Sequence, residues 1–229
     1  MKWISDLIDI IYPRHCLVCG ERLSAGEKDL CANCFYKLPK VARKEYEEIE
    51  KSFWGKIEIE RAASYIHYHK GSPYNNILHS IKYKEHPEVG ERIAHTAAKE
   101  LQSIGFFSNI DAIVPLPLSK KKRKARGYNQ CDYIARGISR ATGIPVIKDA
   151  VVRSVSNETQ THKNRNERWE NVKGIFTLVQ APMLEGRHIL LVDDILTTGA
   201  TLANCAKAIQ DGCRCRISIF TLGYTNNNI

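Results

Sequence analysis

The chain has 229 residues, 43% of them hydrophobic, and a net charge of +9; this is enough for one full-sized core plus a small appendage and excludes disorder or a collagen-like repeat. No run of about 18 apolar residues is present, so no membrane-spanning helix is expected. The charge is uneven: residues 115–170 hold 13 Lys/Arg against 5 Asp/Glu, which makes that segment the place where an anion is drawn.

The chain opens with MKWISDLIDIIYP. Asp6 and Asp9 interrupt what would be the apolar centre of a signal peptide, and no small-residue cleavage site follows. The pattern predicts a short amphipathic helix stopped by Pro13, with Trp3, Leu7, Ile10 and Ile11 packing on the body of the protein. With no secretory signal, a cytoplasmic location is expected and the eight cysteines should stay reduced.

CLVCGERLSAGEKDLCANC follows, with Cys16, Cys19, Cys31 and Cys34 forming two CxxC pairs separated by eleven residues. Each pair in a tight turn aims two thiolates at one point, and two such turns make the tetrahedral sulfur cage that Zn²⁺ accepts. Gly20 supports the first turn. The competing reading, two disulfides of a secreted miniprotein, needs the signal sequence that is missing. With all four positions filled by protein the zinc is structural, and folding of residues 14–38 should depend on it.

VARKEYEEIEKSFWGKIEIE is a charged connector without a glycine-serine tract, so the zinc module (residues 1–45) and the body (46–229) are expected to pack together. AASYIHYH reads as a strand; His67 and His69 share one of its faces but have no third ligand nearby. YNNILHSIKYK and GERIAHTAAKELQSI read as helices, and IDAIVPLPL as a strand ending in prolines. NQCDYIARGISRATG has helical spacing and a stop at Gly143. GIFTLV and RHILLVDD are strands, ATLANCAKAIQDG is a helix ended by Gly212, and RISIFTL is the closing strand. Strands alternating with helices predict an α/β domain with a mainly parallel sheet flanked by helices. ILLV, without polar alternation, suits a strand buried on both faces. Cys131, Cys205, Cys213 and Cys215 lack metal-site geometry and read as buried thiols acting as small hydrophobes.

The basic run KKKRKAR (120–126) admits three readings: a loop closing over pyrophosphate, a contact for single-stranded nucleic acid, or a solvated surface loop. A nucleic-acid face interleaves aromatic groups with the cations, and along the chain only Tyr128 stands close.

In ILLVDDILTTGATL (189–202), Asp193 and Asp194 stand where the strand HILLV ends, and ligands of open α/β sheets bind beyond the carboxyl ends of the strands. Their oxygens suit a diol such as ribose or the water shell of Mg²⁺. Thr197, Thr198, Gly199, Ala200 and Thr201 then offer hydroxyls and N–H groups at a helix start, where a phosphate is best held. Helix capping alone explains one of these residues, not the whole string.

This stretch resembles the phosphoribosyl pyrophosphate motif of the type I phosphoribosyltransferases. Together with the CxxC pairs, PLPLSKKKRKARGYNQ and ERWENV, the chain resembles the ComF family, phosphoribosyltransferase-like proteins with a zinc ribbon in front, linked in some bacteria to DNA uptake. The resemblance implies that Asp193 and Asp194 hold the ribose hydroxyls and residues 197–201 the 5-phosphate. It makes Val114, Pro115, Leu116 and Pro117 the pyrophosphate loop, with the segment through Arg126 and Gln130 folding over it. It also turns Lys82 and Arg126 toward the pyrophosphate, although Lys82 by itself reads equally well as an exposed helix lysine. One departure stands out: where the family carries a leucine soon after Gln160, this chain has QTHKNRNERWENV, and no role passes to residues 161–165.

Displacement at the anomeric carbon builds positive charge on the sugar and negative charge on the departing pyrophosphate, so acids near ribose and cations or Mg²⁺ near pyrophosphate are required. Both sets are present. No segment declares itself as a reader of base edges, so the acceptor is not identified. Three functions follow: a Mg²⁺-dependent phosphoribosyltransferase, a DNA-uptake accessory protein binding single-stranded DNA or partner proteins with little or no transferase activity, and a regulator taking phosphoribosyl pyrophosphate as effector. A DNA-reading regulator would carry a recognition helix, which the zinc module lacks.

Overall fold

A computed structural model describes residues 13–83, 86–153 and 175–225. The amino-terminal helix expected before Pro13, ERWENV and the departure after Gln160 lie outside the described residues.

The zinc module contributes a short helix, α1 (Ala32–Tyr36). The charged connector then folds as a 3-10 turn (Arg43–Glu45) and α2 (Tyr46–Lys51), because Ile49 and Phe53, one helical turn apart, both reach full burial. Strand β1 (Arg61–His67) leads to α3 (Asn75–Tyr83) and α4 (Pro87–Ser103), and β2 (Ala112–Pro115) to α5 (Lys120–Arg126) and α6 (Gln130–Thr142). An antiparallel ribbon pairs β3 (Val151–Arg153) with β4 (Phe176–Leu178). Finally β5 (His188–Leu196), α7 (Ala200–Gln210) and β6 (Arg216–Tyr224) form a crossover unit.

The main sheet has the order β1-β6-β5-β2, and every neighbouring pair is parallel. Alternate residues of β5 feed opposite layers. Leu190 and Val192 pack with Ile77, Ile81 and Ile134 of α3 and α6; Ile189 and Leu191 pack with Phe53, Leu202 and Ile209 on the other side. Each of these four β5 side chains is fully buried, which is why the segment reads as an unbroken apolar run. Polar side chains in this layer pair across neighbouring strands: Ser64 and Thr221 hydroxyls lie 2.6 Å apart, and His188 Nε2 is 2.9 Å from Ser218 Oγ, while His188 Nδ1 is buried without a hydrogen-bond partner. Burial lowers the His188 pKa, so it sits there neutral.

Helices α1 and α2 and strand β3 have no counterpart in the sequence reading, and two further elements depart from it. KKKRKAR, expected as a loop, is the helix α5. The Ser119 hydroxyl accepts from Lys122 N at 3.3 Å, and Gly127 ends the helix in the left-handed region at φ +80°; between those caps every residue has good helix propensity. The strand read as RHILLVDD, with its apolar part HILLV ending before the acids, runs on past the acid pair to Leu196, and Asp193, Ile195 and Leu196 keep their register with Thr221, Gly223 and Tyr224 of β6.

The zinc module is packed on this body. Leu23, Leu30 and Leu38 join the α3/α4 core. Residues 39–41 add antiparallel pairing to the β1 edge, with Val41 N donating to Tyr65 O and His67 N to Pro39 O. Arg92 of α4 grips Asp29 with two nitrogens, and Tyr74 OH donates to Cys34 O at 3.2 Å. No helix among the described residues is long and apolar enough to cross a membrane.

Helices α4 and α6 touch most closely at Gly137, where an added Cβ would lie 2.2 Å from Glu91 O and 3.0 Å from Ala94 Cβ. Gly137→Ala gains about 1 kcal/mol of helix propensity but must push α4 away. A net loss of about 1–3 kcal/mol is expected in denaturant unfolding, whereas equal or higher stability would contradict this packing.

Candidate functional site

The carboxyl ends of β2 and β5 lie side by side, and the pairing runs one residue past β2, where Leu116 N donates to Val192 O at 2.9 Å. Val114 and Pro115 are therefore buried inside the strand, and the part of the predicted pyrophosphate loop that meets the acid pair begins at Leu116. Leu116, Pro117, Gln130, Asp193, Asp194 and Thr201 line one cavity of about 170 Å³. Lys82 and Arg126 reach the same cavity from α3 and α5.

The acid pair is asymmetric. Asp194 is 4% exposed, and Lys82 Nζ stands 3.1 Å from its Oδ2. That contact compensates charge without hydrogen-bond geometry, so the buried oxygen keeps an unmet acceptor. Asp193 Oδ1 accepts from Asp194 N at 2.8 Å and from Cys131 Sγ at 3.3 Å. Burial, and then the neighbouring Asp194 charge, push Asp193 up to about 7. The same burial, reinforced by both carboxylates, holds the Cys131 thiol well above its ordinary range. Cys131 is thus buried, as expected, but it is a hydrogen-bond partner of the site and not a filler. Cys205 and Cys213 are buried and Cys215 is half-buried, away from this cavity.

Gly199 decides the shape of the loop after β5. It holds φ +73°, and an added Cβ would meet Phe53 Cε1 at 3.1 Å; only glycine combines that backbone angle with that approach. Thr197, Thr198, Ala200 and Thr201 are exposed around it, and Thr198 Oγ1 lies 3.4 Å from Ala200 N. Lys56, from the connector, donates to Thr198 O at 3.2 Å and to Ser52 O at 2.7 Å. This tie had no signature along the chain, since 142 residues separate its ends.

Arg126 bonds Gln130 Oε1 and lies 5.4 Å from the centre of the Tyr83 ring. A second cavity of about 300 Å³ adjoins the first, sharing Lys82, Tyr83, Lys122 and Arg126 and adding Tyr128. Tyr83 is the neighbour that reading along the chain missed, because α3 and α5 meet only in the fold, whereas Lys122 belongs to the basic run already singled out. Arg153, at the end of β3, also faces the acid-pair cavity. His67 and His69 stack at 5.4 Å, with Glu45 3.2 Å from His67 Nε2, and make no metal cluster among the described residues.

In the zinc module the ligand atoms of Cys16, Cys19, Cys31 and Cys34 lie within 4.8 Å of one another. Backbone N–H groups support the sulfurs: Cys31 N donates to Cys16 Sγ at 3.3 Å and Cys34 N to Cys31 Sγ at 3.4 Å. Burial opposes ionisation of Cys16, but hydrogen bonds from the Cys19, Cys31 and Val18 backbone outweigh it and bring the thiol down to about 7. Burial and the neighbouring thiols push Cys34 the other way, but four thiols converging on one point, two of them receiving backbone N–H groups, fit Zn²⁺.

A sequence model of the phosphoribosyl transferase domain matches residues 79–226, and one of the double zinc ribbon domain matches residues 7–45. The chain belongs to the phosphoribosyltransferase domain family, in its zinc-ribbon-bearing ComF group. The DNA utilization protein YhgH of Escherichia coli (strain K12) is 30% identical over 155 residues, 63% of this chain and 67% of that relative. Competence protein F of Haemophilus influenzae is 26% identical over 200 residues, 86% of this chain and 78% of that one. Among solved structures, an adenine phosphoribosyltransferase is similar at 14% identity with a TM-score of 0.39, covering 66% of this chain and 84% of the other.

The matching domain is called a double ribbon, yet residues 7–45 of this ComF-group chain hold four cysteines, the ligand set of one ion. Metal analysis of the purified protein should find about one Zn²⁺ per chain, lost in the Cys16→Ser/Cys19→Ser variant. Two ions per chain, or retention in that variant, would contradict the assignment.

Proposed function

We propose that this chain binds phosphoribosyl pyrophosphate with Mg²⁺ at the carboxyl rim of β5 and β2 and transfers the phosphoribosyl group to an acceptor. The observation that carries this reading is the convergence of Asp193, Asp194, Lys82, Arg126 and Thr201 on one cavity. Asp193 and Asp194 accept from the ribose hydroxyls. Thr197, Thr198 and Thr201, with the N–H groups of residues 199–201 at the start of α7, take the 5-phosphate. Leu116 and Pro117 wall the pyrophosphate, and Arg126 and Lys122 face it. Gln130 holds Arg126 in that pose through its side-chain bond.

Mg²⁺ fits the donor set, since Asp194 Oδ2 is a buried oxygen lacking a hydrogen bond. Asp193 and Asp194 would hold the ion through its water shell, where it would neutralise charge on the pyrophosphate. The chain's own groups do the rest. The acid pair stabilises positive charge as it builds on the sugar, while Lys82, Lys122 and Arg126 receive the departing negative charge. Lys82 bridges both tasks, because it already compensates Asp194.

A second reading has its own observation. Tyr83 and Tyr128 line the adjoining cavity with Lys122 and Arg126, and Arg136 stacks 4.1 Å from the centre of the Tyr133 ring, itself edge-on to Tyr128. Cations interleaved with aromatic rings form a platform for single-stranded nucleic acid, in keeping with relatives named for DNA utilization and competence.

Calorimetric titration of folded, zinc-loaded protein with phosphoribosyl pyrophosphate and Mg²⁺ tests the first reading. Affinity on the order of micromolar is expected, with loss in the Asp193→Asn/Asp194→Asn variant; no heat with the wild type would overturn it. For the second, neutralising the lysines at 120, 121, 122 and 124 should weaken oligonucleotide binding and flatten its salt dependence, while the double Asp variant leaves it intact. Unchanged binding after neutralisation would remove the platform.

A further inference from the structure

We propose that Cys131 is a positioning residue for Asp193, its Sγ contact dictating which carboxylate oxygen meets the ligand. The inference rests on the phosphoribosyl pyrophosphate reading for its ligand and on the geometry for everything else.

The backbone that carries the thiol is anchored through Asn129. Asn129 Oδ1 accepts from Cys131 N at 3.2 Å, capping α6, and Asn129 Nδ2 donates to Leu116 O at 3.0 Å. The first turn of α6 is thereby tied to the end of β2, the strand that lies against β5. Cys131 is 1% exposed and borders the acid-pair cavity. Its bond to Asp193 falls on Oδ1, the oxygen that already receives Asp194 N. Two donors on one oxygen fix the carboxylate plane and leave Oδ2 as the acceptor for a ribose hydroxyl. Without the thiol, Asp193 keeps one donor and gains a void the size of a sulfur atom, enough to let the carboxylate turn. Outside the zinc module, Cys205 and Cys213 are buried away from the cavity and fill space, whereas Cys131 faces an acceptor.

The first test needs no ligand. The S–H stretching band that disappears in the infrared difference between wild type and Cys131→Ala is the band of Cys131. It is expected at the lowered frequency of a hydrogen-bonded thiol, and it should move in Asp193→Asn, whose amide oxygen accepts more weakly. A band at the frequency of a free thiol, unmoved by Asp193→Asn, overturns the inference.

The second test separates positioning from packing. Cys131→Ala should weaken binding of phosphoribosyl pyrophosphate with Mg²⁺ by about fivefold, the factor set by one modest hydrogen bond. Cys131→Ser keeps a donor and should return affinity to within about twofold of wild type, whatever its melting temperature. Wild-type affinity in Cys131→Ala, or loss in both variants that follows their melting temperatures, means that the residue only packs. If wild-type protein does not bind the ligand, the reading under Proposed function fails, and the infrared result still decides whether the thiol positions the carboxylate.

Discussion

Two adjacent carboxylates on a strand buried on both faces are the constraint around which this site is organised. An isolated acid in such a place would be held neutral, since burial costs the charged form far more than the neutral one. Lys82 offsets that cost for Asp194, and hydrogen bonds from the Asp194 backbone and Cys131 offset part of it for Asp193. The consequence reaches through the fold. Helix α3 must cross the sheet so that Lys82 arrives, α6 must begin beside β2 so that Cys131 arrives, and Gly199 must turn the chain tightly enough to start α7 against Phe53.

The zinc module has a place in the same scheme. β1 is an edge of the parallel sheet, and exposed edges invite unwanted pairing. Residues 39–41 cover part of that edge, and the leucines of the module complete the core beneath α3 and α4. The metal that shapes the module therefore also stabilises the seat of α3, the helix that delivers Lys82. Zinc and the acid pair are far apart in the sequence but joined through one packed layer.

Local signals were strong where chemistry and spacing coincide. The CxxC pairs, the apolar run before Asp193 and the threonine-glycine loop can each be read from neighbouring residues, and the structure brings Asp193, Asp194 and Thr201 to one cavity with Lys82 and Arg126. Expectations failed where a local pattern was ambiguous or its partner distant. KKKRKAR has no apolar periodicity to mark it as a helix, and only its caps, Ser119 and Gly127, do so. Tyr83 carries no local sign of its place beside the basic run, because it stands 43 positions before Arg126, with α4 and β2 between them, and meets it only through its ring.

Sequence alone determined the alternation of the main strands and helices, the sulfur ligands and the position of the acids toward the end of a buried strand, because periodicity and ligand spacing are properties of residues close together in the chain. Tertiary structure alone decided the roles: which acid is paired with Lys82, which thiol touches a carboxylate, and where cations meet aromatic rings. Those are contacts between side chains far apart along the chain, made only when α3, α5 and α6 pack around the carboxyl ends of β2 and β5. Their energies depend on the burial that this packing creates, and residue spacing does not encode that burial.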